Sequence, residues 1–158
     1  MWNDSTENIL SLLEHRHTLF LITVETTPRL KVRSRDISQE ITFRGYILGK
    51  CRSRSNLRRF VSMDCSVYYR DEYTEMENEH IWIHDFTMDS FMQNKGYGSL
   101  MLEQVIGYAR RNHISYIAGA LSVFDIAPQH ANRGEMLRHF YTKHGFTIDE
   151  HNQIQCNL

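Results

Sequence analysis

Gln93-Asn94-Lys95-Gly96-Tyr97-Gly98 joins an apolar, strand-like run, Ile81 to Met88, to an amphipathic, helix-like run, Ser99 to Arg111. Two glycines one residue apart let the backbone turn sharply and come close to a ligand, and the helix that follows offers unpaired amides and the positive end of its dipole. The stretch therefore predicts a strand, a tight anion-binding loop and a helix in succession. An anion there gains roughly 0.3–2 kcal/mol from the dipole, with hydrogen bonds in addition. Two other glycine loops fail on spacing. A P-loop needs a Lys-Ser/Thr pair after its last glycine, but Gly98 is followed by Ser99-Leu100 and Lys95 lies before it. A dinucleotide fingerprint needs a third glycine where this chain has Met101. A plain glycine turn leading into an ordinary helix stays open on this segment alone.

A second segment, His139-Phe140-Tyr141-Thr142-Lys143-His144-Gly145-Phe146, reads as the end of a helix. Met136, Leu137, Phe140 and Tyr141 fall at helical spacing. Lys143 and His144 place cationic or titratable groups near the negative helix end, and Gly145 suits a left-handed cap before Phe146 resumes a strand. Helix termination accounts for Gly145 but not for a tyrosine beside Phe140.

Together, Gln93-x-x-Gly96-x-Gly98 and the Phe140-Tyr141…Gly145-Phe146 segment resemble the acyl-CoA pyrophosphate loop and the later signature of the GNAT superfamily of N-acetyltransferases. The resemblance runs from about Ile81 to Asp149. It implies an α/β fold with a mixed, mainly antiparallel sheet flanked by helices and a central pair of parallel, splayed strands, here Ile81 to Met88 and Ser115 to Val123. It also implies acetyl-CoA as the acyl donor.

The 158 residues suit one domain spanning 1–158 with a real core, and the apolar and charged fractions are those of an ordinary globular protein. A net charge of −1 gives no global argument for nucleic acid, and the basic stretches Arg29 to Arg35 and Lys50 to Arg59 read as solvated faces and loops. No apolar run reaches a membrane span, and the N-terminus lacks a cationic signal start, so a cytoplasmic location without membrane is expected. Cys51, Cys65 and Cys156 are odd in number and widely spaced, which favours reduced thiols, and the scattered histidines read as hydrogen-bonded or exposed side chains, with no metal expected.

Along the chain, Asp4 or Ser5 caps an expected short helix through Glu14 with Ile9, Leu12 and Leu13 as its apolar stripe. Strands are expected at Leu19 to Glu25, Leu30 to Arg33, Ile41 to Arg52 and Leu57 to Arg70. The acidic stretch Asp71 to Glu79 reads as a solvated hairpin loop that could also attract a cationic acceptor. The helix after the glycine loop buries Leu102, Val105, Ile106 and Ala109. Ser115 to Val123 is a further strand, Phe124 to Asn132 a connection, Arg133 to His144 the last main helix, and Phe146 to Asp149 with Gln153 to Leu158 a closing hairpin.

The resemblance implies pantetheine contacts from the backbone of Phe86 and Met88, pyrophosphate contacts from Gln93, Asn94, Lys95, Gly96, Tyr97, Gly98 and Ser99, and a further cofactor contact at Asn132. Two departures stand out: Ser90 where a proline is common, and an Asn132 to Arg138 segment longer than the usual Asn-x-x-Ala spacing. Tyr141 matches the family tyrosine that protonates the departing thiolate, since a phenol near pKa ~10 donates to a thiolate of similar basicity; a core tyrosine stacked beside Phe140 is the structural alternative. No motif identifies the base. His84 shares strand parity with Trp82 and Phe86, and an imidazole titrates near neutral pH, whereas Asp85 points to the other face and is the alternative, with water a third. The implied reaction is direct transfer to a primary amine of a small molecule or protein in a ternary complex. Self-association into a homodimer stays open. The competing reading is a catalytically silent module of the same fold that binds acyl-CoA or a protein partner.

Overall fold

The computed structural model describes residues 6–33, 35–48, 60–70 and 78–158. Their strands are β1 (Thr6–His15), β2 (Thr18–Thr26), β3 (Leu30–Val32), β4 (Arg35–Leu48), β5 (Phe60–Tyr68), β6 (His80–Met88), β7 (Tyr116–Ala120), β8 (Thr147–Ile148) and β9 (Gln153–Asn157). The helices are α1 (Tyr97–Arg111), α2 (Val123–Ile126) and α3 (Ala131–Lys143). The described residues form a nine-stranded sheet in the order β1-β2-β4-β5-β6-β7-β9-β8, with β3 beside β4. Every pairing is antiparallel except β6 with β7. This is the mixed sheet with a parallel pair that the resemblance implies.

Alternation along the strands separates two faces. Phe20, Ile22, Ile41, Phe43, Val61, Met63, Cys65, Ile81, Ile117 and Ile154 form one buried face. Onto it α1 lays Met101, Leu102, Val105 and Ala109, at roughly 1.5–3 kcal/mol for each large side chain buried; of the stripe expected from the sequence Ile106 is only partly buried, and Met101 is added to it. Ring contacts Phe20–Tyr97 at 5.0 Å and Phe43–Tyr108 at 5.3 Å pin α1 along the sheet, and Phe86–Phe140 at 5.9 Å brings α3 onto the same face. Among the described residues no helix covers the opposite face. There a polar file crosses the strands: Thr23 Oγ1 donates to Glu7 at 2.8 Å, Arg44 pairs with Glu25, Thr42 Oγ1 donates to Asp64 at 2.9 Å, and Ser66 Oγ donates to Glu40 at 2.9 Å.

The expected N-terminal helix is instead β1, the edge strand of a hairpin. Its apolar spacing imitates a helix because the β1–β2 register slips between Ile9 and Ser11, leaving Leu10 as an extra residue. A bulge turns residues three apart to the same side, so Leu10 and Leu13 both pack on the core while Ile9 and Leu12 are exposed. The hairpin closes through Arg16 and His17, both at positive φ, as a two-residue primed turn requires.

Elsewhere the elements follow the expected order with shifted ends. β7 stops at Ala120, short of the Val123 expected, and Val123–Ile126 forms a helical turn that takes in the start of the expected connection. β4 begins earlier than expected, at Arg35. The basic run from Lys50 to Arg59, including Cys51, and the acidic run from Asp71 to Glu77 lie outside the described residues. Cys65 and Cys156 are free, buried thiols.

Candidate active site

The parallel pair leaves an opening. β6 and β7 are in register from His80↔Tyr116 to Ile83↔Gly119, and there the ladder stops. β6 runs on from His84 to Met88, paired only with β5, so its other edge offers unpaired backbone groups. Close approach at the last rung needs Gly119, because a Cβ there would stand 3.1 Å from the Ile83 carbonyl oxygen.

At the end of this edge lies the glycine loop. Asp89 caps a 3-10 turn, Ser90–Met92, through its carboxylate and the Phe91 amide. Asn94 (φ 57°) and Gly96 (φ 87°) then alternate left-handed conformations, and α1 starts. Backbones of this kind turn successive N–H groups into one concavity that suits an anion. The N-cap of α1 is Gly96, with no side-chain cap and no acidic residue in the first turn, so the helix itself supplies no side chain to neutralise its leading amides.

The two glycines have different reasons. Gly96 is needed for its positive φ, whereas at Gly98 an added Cβ would stand 2.8 Å from Met88 Cε and 3.6 Å from the Phe140 ring. Gly98 therefore lets the helix start sit against β6 and α3.

Three long-range contacts hold the loop. His15 Nε2 lies 2.6 Å from the Lys95 carbonyl, the Thr18 hydroxyl lies 3.0 Å from that of Tyr97, and His144 Nε2 lies 3.0 Å from Ser99 Oγ. None of these was legible beforehand, because two come from the hairpin mistaken for a helix and the third joins the end of α3 to the start of α1. Within the loop, Gln93 Nε2 donates to the Met88 carbonyl at 3.3 Å, and the Lys95 ammonium sits 3.6 Å from the Phe91 ring centroid.

His84 lies at a second bulge. Asp64 opposes Asp85 and Cys65 opposes Ile83, which leaves His84 without a partner residue on β5. The bulge corrects the parity expected from the sequence. Phe86, opposite Met63, faces the helices rather than sharing a face with His84, and Asp85, opposite Asp64, shares the open face with His84 rather than pointing away from it. His84 is exposed, and its Nε2 lies 2.6 Å from Ser66 Oγ.

Tyr141 is on the other side of β6. Its side chain is 6% exposed, stacked edge-on between Phe140 at 5.2 Å and Phe146 at 5.3 Å. Burial above all, then the nearby Cys65, Asp125 and Asp85, pushes its phenol well above the usual tyrosine range. Its proton is therefore retained throughout the neutral range. Asn132, in the first turn of α3, is exposed; the groups that meet the loop are Phe140 of α3 and His144 just past its end, at least two turns further along. Asn132 thus stands roughly 12 Å or more along the helix from them.

The profile of the Acetyltransferase (GNAT) family matches residues 45–146. The chain belongs to the GNAT acetyltransferase family. Among solved structures, the NatC complex bound to Gag peptide and CoA superposes with a TM-score of 0.54 at 12% identity, over 74% of this chain and 70% of that one. An acetyltransferase from Bacillus cereus gives 0.47 at 18% identity, over 77% and 74%. A GNAT family acetyltransferase from Elizabethkingia anophelis, with acetyl-CoA bound, gives 0.45 at 14% identity, over 77% and 76%. Curated proteins give no match. The NatC likeness supports the fold alone. Among the described residues no helix is long and apolar enough to cross a membrane, and no group of metal-ligating side chains is present.

Proposed function

We propose that this GNAT chain, acting as one domain over 1–158 in the cytoplasm, transfers the acetyl group of acetyl-CoA directly to a primary amine in a ternary complex. The observation that carries the reading is the uncapped, glycine-led start of α1 at the end of a strand edge that has lost its partner. An anionic pyrophosphate would take the amides from Asn94 to Ser99, and the amide-bearing pantetheine arm would lie along β6 between Phe86 and Met88. The Met88 carbonyl is already engaged by Gln93, so Gln93 would either share it or yield it.

Chemistry follows from the two sides of β6. The donor would occupy the helix side, with Tyr141, and the amine would enter from the open face, past His84. The nitrogen bonds to the thioester carbonyl carbon, the carbon–sulfur bond breaks, Tyr141 gives its proton to the sulfur and His84 takes the proton that the nitrogen sheds. Burial makes Tyr141 a weaker acid than a free phenol, but the same dry surroundings raise the proton affinity of the departing thiolate, so the match between them is retained.

The test is CoA release from acetyl-CoA across a panel of small amines, polyamines, amino acids and peptide N-termini, with CoA binding measured by calorimetry. Binding with amine-dependent release is expected. Binding with no release above the uncatalysed rate for any amine would replace transfer by a purely binding role. Absence of CoA binding would overturn the site itself.

A further inference from the structure

From the hydrogen bonds around the β6 bulge we infer that Glu40 and Ser66 are positioning residues that lock His84 into one tautomer, with Nε2 protonated and Nδ1 carrying the free lone pair. Ser66 Oγ stands between two neighbours, 2.9 Å from Glu40 Oε1 and 2.6 Å from His84 Nε2. A serine hydroxyl has a single proton, and a carboxylate only accepts, so that proton points to Glu40. Ser66 Oγ is then left with lone pairs, and only an Nε2–H can make the short contact from the imidazole side. The chain of donors runs in one direction, from His84 through Ser66 to Glu40.

The surroundings hold this order in place. Ser66 is 2% exposed, sits on β5 opposite both Glu40 of β4 and Trp82 of β6, and so cannot turn its hydroxyl to water without leaving the file. Because His84 is the extra residue of the bulge, its ring reaches back over Ser66 instead of standing opposite a β5 residue. Among the described residues Nδ1 has no hydrogen-bond partner, and the side chain is exposed. The free lone pair is therefore the one available to a proton arriving from the open face. When Nδ1 takes that proton, the imidazolium keeps its Nε2–H on Ser66, and the Glu40 carboxylate at the end of the chain offsets the new charge.

This rests on the acyl-transfer reading only for its consequence, because the tautomer itself is measurable in the free protein. The ring nitrogens of His84 would be read by ¹⁵N NMR at a pH where the imidazole is neutral, in the wild type, Ser66→Ala, Glu40→Ala and Glu40→Gln, with thermal melts to establish folding. The wild type is expected to show only the Nε2–H form, with a slowly exchanging ring proton. Ser66→Ala should lose that proton's protection and show both tautomers. Glu40→Ala, at an exposed position, should do so in part, and Glu40→Gln, which keeps an acceptor for Ser66, should retain the wild-type pattern. With an acceptor amine in hand, Ser66→Ala should lower kcat about tenfold at nearly constant acceptor KM, less than the ~10²–10⁴ that loss of a base itself produces. An Nδ1–H form in the wild type, or an unchanged spectrum in folded Ser66→Ala, would overturn the inference whatever the rates do. The expected spectra with unchanged kcat would uphold the lock and remove His84 from the chemistry.

Discussion

Replacing Gly96 by alanine should weaken CoA binding by about 30- to 150-fold without unfolding the chain. Gly96 holds φ 87°, where an L side chain costs roughly 1–2 kcal/mol. The new Cβ would also stand 3.1 Å from His15 Nε2 and 3.2 Å from His15 Cε1. The imidazole must give by a few tenths of an ångström, which loosens its 2.6 Å contact with the Lys95 carbonyl, a bond worth about 0.5–1.5 kcal/mol net. Both penalties fall on one loop conformation, so roughly 2–3 kcal/mol appears as a smaller binding-competent fraction, and each 1.4 kcal/mol is tenfold in apparent affinity. Calorimetry with CoA measures the loss, and a thermal melt shows that the variant is folded. The same replacement in a His15→Ala background should cost only the backbone strain, since the clashing ring is gone. A folded Gly96→Ala protein that binds CoA within twofold of the wild type would refute the loop as the phosphate site.

Tyr141→Phe removes a hydroxyl that has no hydrogen-bond partner among the described residues, so stability and CoA affinity should hold while turnover falls by about 10²–10⁴; turnover at the wild-type level would leave Tyr141 as packing. His84→Gln keeps a hydrogen-bonding side chain but cannot titrate, and the acidic limb of the rate profile should vanish; a limb that persists moves the proton to Asp85 or water. His144 is held below its usual pKa, chiefly by burial and against the pull of Glu103. The unfolded chain therefore takes up this proton first as pH falls through ~6.5, and stability, complete above that value, declines below it. Urea melts at pH 5 and pH 7.5 should show a smaller acid loss in His144→Gln than in the wild type, and equal slopes would show that His144 does not contribute.

What could be read from the sequence was what the backbone demands locally. Gly96 and Gly145 mark a loop and a helix end because their reason, a positive φ, lies in their own backbone, whereas Gly98 makes room for Met88 and for the distant Phe140; most of the α1 stripe follows from its own period. What could not be read depends on a partner strand. The Leu10 bulge turned a strand into an apparent helix, and the His84 bulge reversed the faces assigned to Phe86 and Asp85. The contacts that shape the site join residues 80, 45 and 18 positions apart, His15 to Lys95, Ser99 to His144 and Ser66 to His84. No local periodicity encodes them. Only strand order brings β4, β5 and β6 together, so the serine and glutamate beside His84 became visible once that order was known.

The bulge at His84 also shows why fold and site are inseparable here. Strict alternation from Ile81 and Ile83 would send Asp85 and Thr87 under the helices and turn Phe86 and Met88 out to the open face. A carboxylate would then face the apolar core, at several kcal/mol without a cation, and the partly buried Phe86 and Met88 would lose their packing against it. One extra residue reverses all four placements: Phe86 reaches Phe140, Met88 meets the start of α1 at Gly98, and Asp85 and Thr87 are exposed on the open face. It falls where the ladder to β7 ends, so the step that completes the core also frees the strand edge and carries the imidazole onto Ser66. Stability thus selects the geometry on which the proposed chemistry would draw, and His84 occupies the position that packing had to insert.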